Sequence, residues 1–119
     1  MKYLEKEKTG KALFELQGVN GELFVYEDKV VLERKGPIAF LIHGLKGTKT
    51  ILFMDIANVI IEEGSNTENG YIRFDIINED VFKGSVVTAT QDENTVMIKN
   101  TQSEIAREIK EYIDRQRKQ

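Results

Sequence analysis

Apolar positions near the start of the chain recur every second residue. Ala12, Phe14 and Leu16 share one face of residues 11–17, with Glu15 and Gln17 on the other, which predicts a half-buried strand. Gly18-Val19-Asn20-Gly21 follows and reads as a turn, because glycine and asparagine tolerate positive φ. Leu23-Phe24-Val25-Tyr26 and Val30-Val31-Leu32 then predict a hairpin over 22–27 and 29–34, turning at Glu27-Asp28-Lys29. Further on, Ile51-Leu52-Phe53-Met54 reads as a strand that leads through Asp55 into Ile56–Ile61. A polar turn over 64–70 separates these from residues 71–77. There Ile72, Phe74 and Ile76 are expected to face inward and Arg73 and Asp75 outward. Residues 81–90 have strand character interrupted by Gly84, Gln91-Asp92-Glu93-Asn94 reads as a turn, and Val96 and Ile98 mark one more short strand.

The period changes near the C-terminus. Thr101-Gln102-Ser103-Glu104 has capping-box spacing, in which Thr101 accepts from the Glu104 amide and Glu104 reaches back. Ile105, Ile109, Tyr112 and Ile113 then recur at helical spacing and predict an amphipathic helix over about 102–117. Arg115, Arg117 and Lys118 complement the helix dipole in its last turn. The polar face carries Arg107, Glu108, Lys110, Glu111, Asp114 and Arg115, with a favourable Glu111–Arg115 pair and an unfavourable Glu104–Glu108 pair. Such a mixed face suits a solvated helix; the alternative is a partner-facing helix or an oligomer seam.

About seven strands followed by one helix predict an α+β, mainly β class: a small antiparallel barrel or sandwich capped by the C-terminal amphipathic helix. With 119 residues the chain is expected to form one domain over 1–119, with a loose N-terminal segment over 1–9. Hydrophobic residues at 40% and charged residues at 31% are a globular balance rather than a disordered one.

Several chemistries drop out on composition. No cysteine is present, so disulfides, thiol catalysis and cysteine-ligated metals are excluded. His43 is the one histidine, and no nucleophile or orienting carboxylate adjoins it, so it reads as a solvated loop residue. Gly44-Leu45-Lys46-Gly47-Thr48-Lys49-Thr50 lacks the order of a phosphate loop and reads as a turn into the next strand. Asp55, Asp75, Asp92 and Glu93 lack calcium-loop spacing. No enzyme activity, metal, cofactor or small-molecule substrate is expected. No apolar run has the length of a membrane span, and the charged start Met1–Lys8 does not read as a signal peptide. With the absence of cysteine, this predicts a cytoplasmic protein.

Charge adds a local contrast to a net formal charge of −3, which argues against nucleic acid as a partner. Residues 29–50 hold five basic side chains against one acid, whereas residues 55–93 hold nine acids against two basic ones. Within the basic stretch, Gly36-Pro37-Ile38-Ala39-Phe40-Leu41-Ile42-His43-Gly44 has the proline–glycine asymmetry of a short helix. Its five consecutive apolar residues cannot all face one way. An apolar tip at Ile38, Phe40 and Leu41, collared by Arg34, Lys35, Lys46 and Lys49, is a candidate contact for an anionic membrane or a partner. The competing reading has these residues cap a barrel mouth or pair as a core strand.

Seven strands and a C-terminal helix are also the element order of pleckstrin-homology-like domains. Gly21-Glu22-Leu23-Phe24-Val25-Tyr26-Glu27-Asp28 with Val30–Arg34 looks like the first hairpin of the bacterial members. Lys35-Gly36, Phe40-Leu41, Gly44-Leu45-Lys46-Gly47, Lys49 and Ile56 are similar to the linker and third strand of a family of unknown function. Gly70–Phe74 and Asp92–Val96 resemble it as well. The resemblance covers roughly residues 10–115. In that family a short C-terminal helical oligomerisation (SHOCT) module often follows; with the sequence ending at Gln119, none is expected here. Phosphoinositide-binding relatives carry basic residues on the first two strands and their loop, and residues 18–28 have none, which speaks against that ligand. Such folds host lipid binding, peptide binding and self-assembly alike. The expected function is a non-catalytic interaction module that binds protein or self-associates. The alternative is a peripheral membrane-binding module using loop 38–42 and its basic flanks.

Overall fold

Alternation at the start of the chain becomes a four-stranded antiparallel sheet. The computed structural model describes residues 11–34, 47–77 and 93–118. Strands β1 (Phe14–Gln17), β2 (Gly21–Val25), β3 (Lys29–Arg34) and β4 (Thr48–Leu52) pair in sequence order. Strands β5 (Ile56–Glu62), β6 (Gly70–Ile76) and β7 (Thr95–Ile98) form a second antiparallel sheet, and helix α1 (Ser103–Arg117) follows. The chain is therefore mainly β, with seven strands among the described residues, and the α+β class holds. Of the expected barrel or sandwich, the closed barrel is corrected: the described strands form two antiparallel sheets rather than one closed surface. The apolar stretch 36–44, the expected strand over 81–90 and the N-terminal segment 1–9 lie outside the described residues.

The two sheets separate between the expected segments Ile51–Met54 and Ile56–Ile61. Strand β4 begins at Thr48, earlier than the sequence pattern suggested, and ends at Leu52. Gly47 enters it at φ +42°, a conformation that favours glycine, and its carbonyl accepts from the Arg34 amide at 2.6 Å. Phe53–Asp55 is a 3₁₀ turn, not strand. That turn buries Phe53 in the core, leaves Met54 outside, and carries the chain to the second sheet.

Alternate residues of both sheets meet in one core. Leu23, Val25, Val30 and Leu32 come from the first sheet, Val59, Ile72, Phe74, Val96 and Ile98 from the second. Ala106, Ile109 and Ile113 of α1 close it, with Ile105 and Tyr112 half-buried at its margin. The Tyr112 ring lies 5.6 Å from that of Phe14 and 6.1 Å from that of Phe53, tying the helix to β1 and to the 3₁₀ turn that follows β4.

Main-chain and side-chain groups of the β1–β2 turn join the sheets. The Val19 amide donates to the Met97 carbonyl at 2.8 Å, and Asn20 Oδ1 accepts from the Met97 amide at 2.9 Å. The β1–β2 turn thus supplies hydrogen bonds to β7 that a neighbouring strand would otherwise provide. Gly70 also needs to be glycine, because a Cβ there would overlap the Glu62 carbonyl oxygen across the β5–β6 pair.

Two local expectations are corrected. Arg73 was expected to face solvent, yet it is 7% exposed. It sits on the central strand of the second sheet, and Asp75, two residues along on the same face, accepts from its Nε at 2.8 Å and its Nη2 at 3.3 Å. A buried guanidinium requires such a partner. The expected Thr101–Glu104 capping box is replaced by a 3₁₀ turn over Asn100–Gln102. Gln102 Oε1 accepts from the Lys99 amide at 2.9 Å while its Nε2 donates to the Gln17 carbonyl at 2.8 Å. Only an amide side chain can both accept and donate there; a carboxylate could not bridge helix start and β1 in this way.

Candidate functional site

Of the residues singled out in the sequence, Arg34 and Lys49 are described, whereas Lys35, Ile38, Phe40, Leu41 and Lys46 lie outside the described residues, as does His43. Strand register puts Lys49 opposite Leu32, and Arg34 two residues beyond Leu32, so both project from the core side of the first sheet at one end. Lys49 Nζ lies 2.6 Å from Glu93 Oε1. The three guanidinium nitrogens of Arg34 are shielded from solvent. Lys49 is thus paired with a carboxylate at the surface, and the Arg34 guanidinium is not displayed to solvent.

The opposite end of the same sheet holds a cleft of about 550 Å³. Its floor is the buried pair Phe53 and Ile56. Its sides are Leu52, Met54 and Ile77, which are 41%, 77% and 48% exposed. Three large apolar side chains facing water at one place is the kind of clustering that marks a binding surface. One rim is Glu27 and Asp28 of the β2–β3 turn; the other is Gln116 and Arg117 at the end of α1.

Backbone hydrogen bonds hold this end together. The Tyr26 amide closes the β2–β3 turn on the Lys29 carbonyl at 2.9 Å. The Phe53 amide donates to the Asp28 carbonyl at 2.9 Å, fixing the acidic turn to the 3₁₀ turn. The Ile77 amide donates to the Asp55 carbonyl at 2.8 Å, holding the end of β6 beside them. Pairing of β5 with β6 slips between Ile56 and Asn58, a bulge at Ala57. The Ala57 carbonyl accepts from Arg117 Nη2 at 2.6 Å, while Arg117 Nη1 lies 3.1 Å from Asp114 Oδ1. The helix end is thus pinned to the bulge, and its one cation at this rim is already engaged.

Electrostatically the cleft leans negative. Glu27 and Asp28 are exposed and make no ion pair among the described residues. Lys29 beside them is buried, its ammonium 4.8 Å from the centre of the Tyr26 ring. The Tyr112 phenol is held above its usual 10.0, first by burial and then by the Glu27 carboxylate; Arg115 opposes this and Asp28 adds to it. The acidic turn therefore projects its field toward the helix. Among the described residues the lining offers apolar area, carboxylates, an amide and a guanidinium, but no hydroxyl, thiol or imidazole.

A second depression of about 570 Å³ runs along α1 beside β5, over Ile61. Each carboxylate of its walls faces a cation: Glu63 with Arg107 at 2.6 Å, Asp114 with Lys110 at 2.8 Å, Glu111 with Arg115 at 2.8 Å; Lys118 adds a further cation with no ion pair among the described residues. The expected Glu111–Arg115 pair is one of these.

Sequence reasoning missed the end cleft. Glu27 and Asp28 read only as turn chemistry, and Leu52 and Met54 only as strand. A signal was present: Ile51-Leu52-Phe53-Met54 has no polar alternation, so a half-buried strand would leave two of its four apolar side chains facing water.

No curated protein and no solved structure matches this chain. None of the described helices is long and apolar enough to cross a membrane. A family model matches residues 26–114, a span that runs from the acidic turn at the rim of the cleft through β3–β7 and most of α1. The chain belongs to the family described as Domain of unknown function (DUF4429).

Proposed function

We propose that this chain is a non-catalytic module with a pleckstrin-homology-like arrangement that works by binding protein. A four-stranded sheet, a three-stranded sheet and a C-terminal helix, in that order, support the architectural part. The observation that carries the functional part is the joint exposure of Leu52, Met54 and Ile77 at a cleft framed by backbone hydrogen bonds. Apolar area displayed on a rigid frame favours association, because little ordering entropy is lost on binding.

An anionic membrane is the competing partner. Against it stand the acidic rim at Glu27 and Asp28, which would repel anionic headgroups, the pairing of Lys49 with Glu93, and the shielding of the Arg34 guanidinium from solvent. Co-sedimentation with neutral and phosphatidylserine-containing vesicles, at low and physiological salt, separates the two. The protein is expected in the supernatant throughout. Salt-sensitive pelleting with anionic vesicles alone would overturn the protein-binding reading in favour of a membrane role through the 34–49 segment.

A further inference from the structure

We infer that the end cleft is a docking site for a short protein segment that carries a large apolar side chain beside a lysine or arginine. This rests on the protein-binding reading and specifies its ligand. The apolar part follows from the floor and sides: Phe53 and Ile56 below, Met54 and Leu52 exposed above. A side chain entering there removes apolar area on both partners from water, the main non-directional source of affinity.

The basic part follows from charge complementarity. Glu27 and Asp28 stand on one rim with no ion pair among the described residues. The opposite rim cannot neutralise them, since Arg117 is held by Asp114 and the Ala57 carbonyl. A ligand cation beside the apolar anchor completes what the rim leaves unsatisfied. An acidic segment would instead meet repulsion, which gives the cleft selectivity as well as affinity. The groove along α1 is of comparable size, but each of its carboxylates already faces a cation and Lys118 adds another positive charge, so it offers a ligand cation no carboxylate left to pair with.

The test is selection of displayed random peptides on the intact protein, followed by affinity measurement of the recovered peptides by fluorescence anisotropy. Recovered sequences are expected to place lysine or arginine within a few residues of leucine, methionine or an aromatic. The double variant Glu27→Gln, Asp28→Asn should weaken them about tenfold, the scale of two exposed charge pairs. Met54→Asp should weaken them at least as much, and Met54 is exposed enough for the fold to tolerate the change. Circular dichroism and urea midpoints of both variants should match the parent protein. Recovered peptides that are acidic, or whose binding neither variant alters, would overturn this site while leaving the protein-binding reading standing. Recovery of no peptide, with no concentration-dependent self-association in sedimentation velocity, would overturn both.

Discussion

The end cleft and the groove along α1 enclose similar volumes, about 550 and 570 Å³, and both lean on the same helix. They differ in how far their chemistry is satisfied internally. Along the groove, Glu63, Glu111 and Asp114 each face a cation within 2.8 Å, and the apolar floor is a half-buried Ile61. At the end cleft, Met54 and Leu52 face water and Glu27 and Asp28 make no such pair. Volume therefore does not distinguish a binding surface from a furrow between packed elements. Unsatisfied apolar area and unneutralised charge do, because only these improve when a partner arrives.

The comparison can be broken most severely at the wall both clefts share. Ile109 is fully buried in α1 against the two sheets. Ile109→Ala should cost about 2–5 kcal/mol in urea unfolding and degrade both clefts together. A loss below ~1 kcal/mol would mean that the helix does not hold the sheets as described.

A smaller effect separates them. Arg117→Ala removes the pin between the helix end and the Ala57 carbonyl, at the rim of the end cleft alone. The expected cost is about 1.5–3 kcal/mol, the range for a hydrogen bond made by a charged group. Amide exchange should rise at the last turn of α1 and near the β5 bulge, and remain unchanged at Arg107 and Glu63.

The acidic rim has its own readout in Tyr112. Its raised folded-state pKa means the unfolded chain releases that proton first as the pH climbs past about 10. The associated stability is fully present below pH 10.0 and is lost as pH rises through the higher folded-state value. Urea midpoints should therefore fall across that window, and Tyr112→Phe should flatten this part of the fall. Glu27→Gln should bring the Tyr112 phenol back toward 10.0 in a phenolate absorbance titration referenced to Tyr112→Phe, because the carboxylate is the second cause of the rise. An unmoved titration would mean that the acidic field does not reach the helix.

The groove should give the smallest response. Glu63→Gln breaks an exposed pair with Arg107 and is expected to change stability by less than ~0.5 kcal/mol, with no change in peptide affinity at the end cleft. A larger change in affinity would show the two regions to be coupled.

Much of the scaffold was legible before any coordinates. Period-two alternation at Phe14, Leu16, Ile72 and Phe74 identified core-facing strand residues, and Ile109 and Ile113 marked the buried stripe of the helix. These are local periodicities that burial on one face imposes directly. The candidate site was read less well. Arg34 and Lys49 suggested a basic surface, but Lys49 is paired with Glu93, 44 residues away in sequence, a distance over which spacing carries no information. Likewise, Gln102 displaces Thr101 and Glu104 at the helix start because the Gln17 carbonyl, 85 residues earlier, is within its reach.

By itself the sequence determined the class of fold, the hairpins and the amphipathic helix, and the absence of cysteine chemistry, because each follows from residue type or from spacings of a few positions. Tertiary structure alone decided that the strands form two sheets, that Arg73 is buried against Asp75, and that the acidic turn meets Met54 and Ile77 at one cleft. Those outcomes depend on which distant segments share a face. That is set by closing the core, and a side chain's exposure is known only once its neighbours from every sheet and helix are in place.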